Sequence, residues 1–327
     1  MLPHRQVQRG SSLVAVAVVA VALVVPASAW GQVPVDVHAP AVDPVTAAQD
    51  RAHAAITTAR PVTWRCSSAQ NRARRKTPAA ARARSDAAAT REWANPRLRE
   101  LIGILPDTDL AYWREVRWLY GAKGVCDPAV FLTDGMVTVH AFGHEIRAQG
   151  DVATRLLRAD LALRARGEVP VFGWVGGFSP RTVRGTNRLS KHALGLAIDF
   201  DPKFNPYLGR GDMRLVRKVT GMRIRRGLRT TAGDRWDDFR RAHLLFMERI
   251  GPWFEAATLR RAGLRAGTRR ARRLDAELDL LTAGKNARIL HTGILSLSRP
   301  FVEEMERAGL RWRTDFAAGP DLMHFSR

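Results

Sequence analysis

The sequence predicts an α+β fold: a small antiparallel sheet surrounded by helices, with a large helical insertion. Two observations point there. Most of the patterned sequence carries apolar residues at three- and four-residue steps, the period of a helix face. The apolar runs of strand character are few and short: Val169–Val175, Leu196–Phe200 and Leu310–Trp312. A hydrophobic fraction of 46% over 327 residues is ordinary for a globular chain and supports a packed core. That length fits one large domain or two small ones.

Residues 1–29 read as a secretory signal peptide. His4, Arg5 and Arg9 form a positive start, and Leu13–Val25 is an unbroken apolar run of 13 residues. Pro26 ends the run, and Ala27-Ser28-Ala29 supplies a small-x-small cleavage pattern near Ala29. The run is shorter than the roughly 20 residues a spanning helix needs, which favours cleavage over a membrane anchor. No later stretch is apolar enough to span. The mature chain is therefore expected without a transmembrane segment and exported, to the periplasm, the cell wall or beyond.

Residues 30–92 read as a flexible leader rich in Ala, Arg and Pro. Within it, residues 70–92 have almost no large apolar side chains, the composition of a solvated helix or linker. Residues 93–135 read as a helical region. Leu98, Leu101, Ile102 and Leu105 share one helix face, and Leu110–Tyr120 has helical spacing until Gly121, Gly124 and Pro128 end it. It reads either as a small module of its own or as a helical layer on the rest. The chain has two cysteines, Cys66 and Cys126, which in an exported protein read as one disulfide or as two unpaired thiols.

Residues 136–327 form the main domain. Helices are expected over Val137–Arg147 and Val152–Arg166, then the strand Val169–Val175 ending at Gly176-Gly177. Asn205-Pro206 marks a turn, and residues 207–300 read as a basic helical insertion. Its clearest helix is Trp236–Ile250, with Phe239, His243, Phe246, Met247 and Ile250 at core spacing. Its most cationic stretch is Leu259–Arg273. A last helix, Pro300–Ala308, stops at Gly309, a good helix terminator.

The charge balance is 53 Lys+Arg against 31 Asp+Glu, a net +22. Such a charge attracts polyanions, although a coding bias toward GC-rich codons produces the same composition. Residues 207–275 lack the interleaved aromatics that stack on bases, and export removes genomic DNA, so no nucleic-acid partner is expected. An anionic cell-wall polymer is the partner that fits the insertion; a merely solvated helix face is the alternative.

The segment that carries chemistry is Ser190-Lys-His-Ala-Leu-Gly-Leu-Ala-Ile-Asp199. The alternation from Leu196 to Phe200 places Asp199 on a strand and His192 on the loop entering it. A further histidine, His324, lies in Asp321-Leu-Met-His-Phe325. Two histidines and one aspartate have the composition of a catalytic zinc site, with three protein ligands and a fourth position for water. Zinc lowers the pKa of such a water to roughly 7.

The pattern S-x-H-x-x-G-x-A-x-D followed by D-x-x-H-F resembles the D-alanyl-D-alanine carboxypeptidase family of zinc peptidases. That family includes VanY-type carboxypeptidases and phage L-alanyl-D-glutamate endopeptidases, and is related to the lysostaphin and hedgehog folds. The resemblance covers about 135–206 and 300–327, including Val137-Thr-Val-His140 and Asn205-Pro206. It implies His192, Asp199 and His324 as ligands of one Zn2+ and Asp321 as the general base that later protonates the leaving amine. It also implies Arg181, or else Arg184, as the group holding a substrate carboxylate in a planar two-pronged contact, and Ser190 near the substrate. The implied substrate is a peptidoglycan stem peptide, cut as a carboxypeptidase or as an endopeptidase. The Asp in D-x-x-H leans to the endopeptidase side.

Two features depart from the family. The gap from Asp199 to Asp321 is 122 residues (321 − 199), much longer than usual, and Ser326 and Arg327 follow the His-Phe pair where an acidic residue is common. A non-catalytic cell-wall or anionic-polymer binding protein that keeps the peptidase fold is the alternative; the presence of all of His192, Asp199, Asp321 and His324 favours an enzyme. Among the other candidates, His140 and His144 are four apart, on one face of the expected helix, and read as packing or surface residues. His243 reads as a partly buried core residue and His291 has no assignment. Asp201 and Glu255 read as solvated acids or as groups supporting the site.

Overall fold

The computed structural model describes residues 64–102, 109–224, 230–284, 286–316 and 319–327. The expected signal peptide and residues 30–63 of the expected leader lie outside them. The fold is α+β, with every strand pair antiparallel. Among the described residues, no helix is long and apolar enough to cross a membrane.

Five helices open the described chain: α1 (Ser68–Lys76), α2 (Pro78–Ala94), α3 (Pro96–Ile102), α4 (Leu110–Ala122) and α5 (Pro128–Asp134). The stretch read as a flexible leader is thus helical from Ser68 onward. Its small residues explain this: Ser85 and Ala89 on α2 are buried, which lets α2 lie close against α4. On α4, Trp113, Val116 and Tyr120 are buried at helical spacing. Glu92 ties the two helices, accepting from Trp113 Nε1 at 3.0 Å and from Arg117 Nε at 2.9 Å. Cys66 and Cys126 form a disulfide with Cα atoms 4.8 Å apart. It fastens the start of this layer to the loop after α4, where Cys126 N also donates to Trp64 O.

The next segment differs from the sequence expectation. Residues 137–147 do not form a helix. They lie in a hairpin of β1 (Met136–Ala141) and β2 (His144–Gln149), with Ala141 opposite His144. Phe142 and Gly143 both have positive φ, 55° and 79°, the requirement of a type I′ two-residue turn. Burial alternates, with Val139, Ala141, Ile146 and Ala148 inward, so the working period is two rather than 3.6. His140 consequently pairs with Glu145 across the hairpin and shares no helix face with His144.

Helix α6 (Gly150–Ala165) follows as expected. The second sheet then has the order β3-β4-β6-β5: β3 (Val175–Gly176), β4 (Ala197–Phe200), β6 (His324–Ser326) and β5 (Arg311–Trp312). The strand expected over Val169–Val175 shrinks to its last residue and Gly176. All four residues of β4 are buried. Ile198 and Phe200 turn into the core, where Phe200 meets Phe142, Phe301 and Phe325 edge-on at 4.9–5.7 Å between ring centroids. Asp199 therefore points to the opposite face.

The insertion supplies α7 (Arg210–Thr220), α8 (Ala232–Ala262), α9 (Arg269–Thr282) and the short α10 (Ile289–Thr292). It belongs to the same core: Phe239, Ala242, Phe246 and Ile250 of α8 join the cluster holding Trp312 and Phe325, with Phe239 and Trp312 in edge contact. Helix α11 (Arg299–Arg307) returns the chain to the sheet.

Asn205, fully buried, locks that return. Its Nδ2 donates to Phe200 O, Asp201 O and Ser296 Oγ, while its Oδ1 accepts from Ser296 N and Leu297 N. His243, half-buried as expected, accepts from Ile294 N and Leu295 N through Nδ1. Burial and the neighbouring Arg240 lower its pKa, which keeps that nitrogen an acceptor. Replacing Asn205 by Leu strands the two backbone donors and is expected to cost about 3 kcal/mol or more in chemical denaturation. A change within about 0.5 kcal/mol would remove Asn205 from this role.

Candidate metal centre

Three separate segments bring His192, Asp199 and His324 together. Asp199 on β4 is directly opposite His324 on β6. Directly paired residues of an antiparallel ladder project from the same face, so the pairing alone makes the two side chains neighbours. His192 opens a single 3-10 turn, His192–Leu194, just before β4.

The motif's small residues build that turn. Ser190 Oγ accepts from His192 N at 3.2 Å, and Ser190 O accepts from Ala193 N. Gly195 has φ 62°, and a Cβ there would come within 2.6 Å of Met136 Sδ and of Gln149 N. Gly195 O accepts from Gln149 N, joining the turn to the hairpin. From the helical layer, Tyr120 Oη donates to Ala193 O in a short contact. Helix α4 thus supports the His192 turn. Phe178, Leu189 and Ala193 belong to the same apolar cluster as Trp113 and Tyr120.

All three side chains are buried. His192 Nδ1 lies 2.7 Å from Gly177 O. A carbonyl can only accept, so Nδ1 carries a proton and Nε2 faces the cluster. His192 Nε2 is 3.2 Å from Asp199 Oδ2 and 3.2 Å from His324 Nδ1, and His324 Nδ1 is 2.9 Å from Asp199 Oδ1. The Gly177 carbonyl can approach this closely because Gly177 is itself tightly packed: a Cβ would sit 2.4 Å from Arg147 O.

The electrostatics follow from this crowding. Burial penalises a charged His192, but the Asp199 carboxylate and the Gly177 carbonyl outweigh it and raise its pKa; Arg181 works in the opposite direction. Burial likewise disfavours an ionised Asp199, yet the two histidines hold its pKa well below the usual carboxylate range. His324 is lowered, first by burial, with His192 and Lys191 adding to the effect against Asp199. The cluster is an anion flanked by two imidazoles competing for one proton, an arrangement that a cation relieves.

The residues fit a metal ion. Their ligand atoms all lie within 4.8 Å of one another. The three closest separations, 2.9–3.2 Å, approach the edge of about 3.3 Å for a tetrahedron with zinc–ligand bonds of about 2.0–2.1 Å. The Gly177 carbonyl plays the part expected of a group that fixes a ligating histidine's ring and tautomer. The buried His-Asp-His triad can therefore hold a metal ion.

The other expected site residues distribute as follows. Asp321 is half-buried, and its carbonyl accepts from His324 N at 3.3 Å. The D-x-x-H spacing is thus a β-turn, which keeps its first and last Cα atoms within about 7 Å. Arg181 precedes the His192 turn, its carbonyl accepting from Ser190 N, and its charge is felt at His192. Arg184 is exposed in the loop between the bridged residues Thr182 and Leu189. Ser190 is buried, with its hydroxyl engaged on the His192 backbone. Asp201, φ 41°, is buried and accepts from Trp174 N at 2.7 Å, fixing β3 to the end of β4 rather than touching the cluster. Glu255 and His291 are exposed.

Sequence reasoning did not single out Gly177 O, Tyr120 or Lys191, which donates to Ser326 Oγ at 3.1 Å. Only the Gly176-Gly177 pair carried a signal. Comparison with protein-family models, curated proteins and solved structures finds no match to this chain.

Metal binding must displace the proton that His192 holds below its raised pKa. Zinc affinity is expected to weaken as pH falls through that value, with more proton released per zinc at about pH 6 than at about pH 8. Titration calorimetry in buffers of different ionisation enthalpy measures both quantities. Affinity independent of pH would contradict the assignment of His192 as a ligand.

Proposed function

We propose that this chain is an exported zinc peptidase that hydrolyses peptide bonds in peptidoglycan stem peptides. One observation carries the reading: the three residues implied as ligands, with His324 lying 125 residues from Asp199 and 132 from His192, converge in one buried cluster whose donor set and spacing suit zinc. The adjoining D-x-x-H turn adds a carboxyl-bearing residue beside the third ligand. Zinc there would supply a Lewis acid for the scissile carbonyl and lower the pKa of a water to about 7.

The chain's own residues do the rest. Gly177 O orients His192, and Asp199 keeps its negative charge through the two imidazoles. Asp321, at the head of the β-turn ending in His324, takes the role of general base in this reading, accepting a proton from the attacking water. It then delivers that proton to the departing amine, acting as base and then as acid. Arg181, beside His192, suits a substrate carboxylate through its planar fork. Arg184, exposed in its loop, suits this less. Ser190 contributes by holding the His192 turn.

The experiment is mass spectrometry of wall fragments after incubation with the zinc-loaded protein. A lost terminal D-Ala and a cut within the stem give different masses. Asp321→Asn is expected to retain zinc and lose about 10²–10⁴-fold in rate, the usual worth of a general base. His192→Ala is expected to lose both zinc and activity. Full activity in either variant, or no product from the wild type, would sink the proposal.

A further inference from the structure

A pocket of about 540 Å³ opens at the end of β4 away from His192. Trp174, Lys203, Phe204, Tyr207, Arg288 and Met323 line it. Two of its walls adjoin the D-x-x-H segment: Met323 precedes His324, and Tyr207 is bridged to Asp321. Trp174 is tied in through the sheet. Gly176 is opposite Asp199, so a side chain at 176 would rise from the face that bears the ligands. The Trp174 indole occupies that space instead, 1.9 Å from where the Cβ would stand. Only glycine admits it. Trp174 is 50% exposed and offers a flat apolar surface on the ligand face of the sheet.

The insertion completes the pocket. Asn286 Nδ2 donates to Tyr207 O at 2.9 Å and to Asp212 Oδ2 at 3.0 Å, and Asp212 also accepts from Gly209 N. This clamp seats the chain just before α10 and sets Arg288 at the rim. Arg288 and Lys203 are both exposed, and neither forms an ion pair among the described residues. The pocket's one carboxylate, Asp201, is buried and occupied by Trp174 N. An aromatic platform with two uncommitted cations suits a ligand with an apolar face and a negative group.

We propose that this pocket is a second substrate subsite, formed jointly by residues 173–174, 201–207 and the insertion's Arg288, which binds a carboxylate-bearing peptide segment at the end of β4 away from His192. The natural ligand rests on the peptidase reading; the binding itself does not. The insertion thereby acts as a specificity element: its Arg288 adds a cation to a pocket that Met323, next to His324, also lines.

The test is titration calorimetry on the zinc-loaded full chain carrying Asp321→Asn, so that cleavage does not consume the probe. The probes are a short acetylated peptide with a free terminal carboxylate and the same peptide as its amide. The free acid is expected to bind more tightly than the amide. The double variant Arg288→Ala, Lys203→Ala is expected to weaken the acid about 10-fold and leave the amide unchanged. Trp174→Ala should weaken both. Circular dichroism and zinc content check that these variants keep the fold and the metal. Equal binding of acid and amide by the unsubstituted pocket, or an acid preference abolished by Arg181→Ala instead, would overturn the proposal. Intact subsite binding with no cleavage of wall fragments would leave the subsite standing and remove the peptidase reading.

Discussion

The structure depends on one ladder. Pairing of β4 with β6 joins residues 125 positions apart and sets Asp199 opposite His324. A register slip of one residue would send Asp199 into the aromatic core and Phe200 to the ligand face. Burial of an unpaired carboxylate among Phe142, Phe301 and Phe325 makes such a slip costly. The same alternation that packs the core therefore positions the site, and the short strands need no length of their own to do it.

Everything between those strands must bring the chain back in register. The insertion does so by sharing the core through α8 and by the hydrogen bonds of Asn205, which bind the exit of β4 to the segment entering α11. On the other side, the disulfide-fastened helical layer presses Tyr120 against the His192 turn. Burial raises the Tyr120 pKa, so its hydroxyl remains a donor to Ala193 O. Two layers that share no sequence pattern thus converge on ten residues of motif.

Much of this was legible in the sequence, for a physical reason. The alternation from Leu196 to Phe200 is the period of a strand, so Asp199 on the strand and His192 on the loop entering it were both readable. The short strand Leu310–Trp312 and the helix after Pro300 were likewise plain from their flanking residues. The hairpin at 136–149 was not: Val137–Arg147 offers apolar residues that fit either period, and the Phe142-Gly143 turn lacks the usual Asn or Asp. The composition of residues 70–92 allowed a solvated helix, but its packing was obscured because its contacts rely on Ser85 and Ala89, side chains too small to mark a buried face. Backbone groups are invisible to pattern reading altogether, which is why the Gly177 carbonyl and its hold on His192 emerge only from the fold.

The β4–β6 register and the His192 turn together create one cluster of two imidazoles and one carboxylate that can hold a metal ion. X-ray absorption spectroscopy of the zinc-loaded protein tests it most directly. The account predicts one zinc per chain, in a four-coordinate shell of nitrogen and oxygen at about 2.0–2.1 Å with scattering from two imidazole rings. A shell containing sulfur, a shell with no imidazole scattering, or no stoichiometric zinc would contradict it.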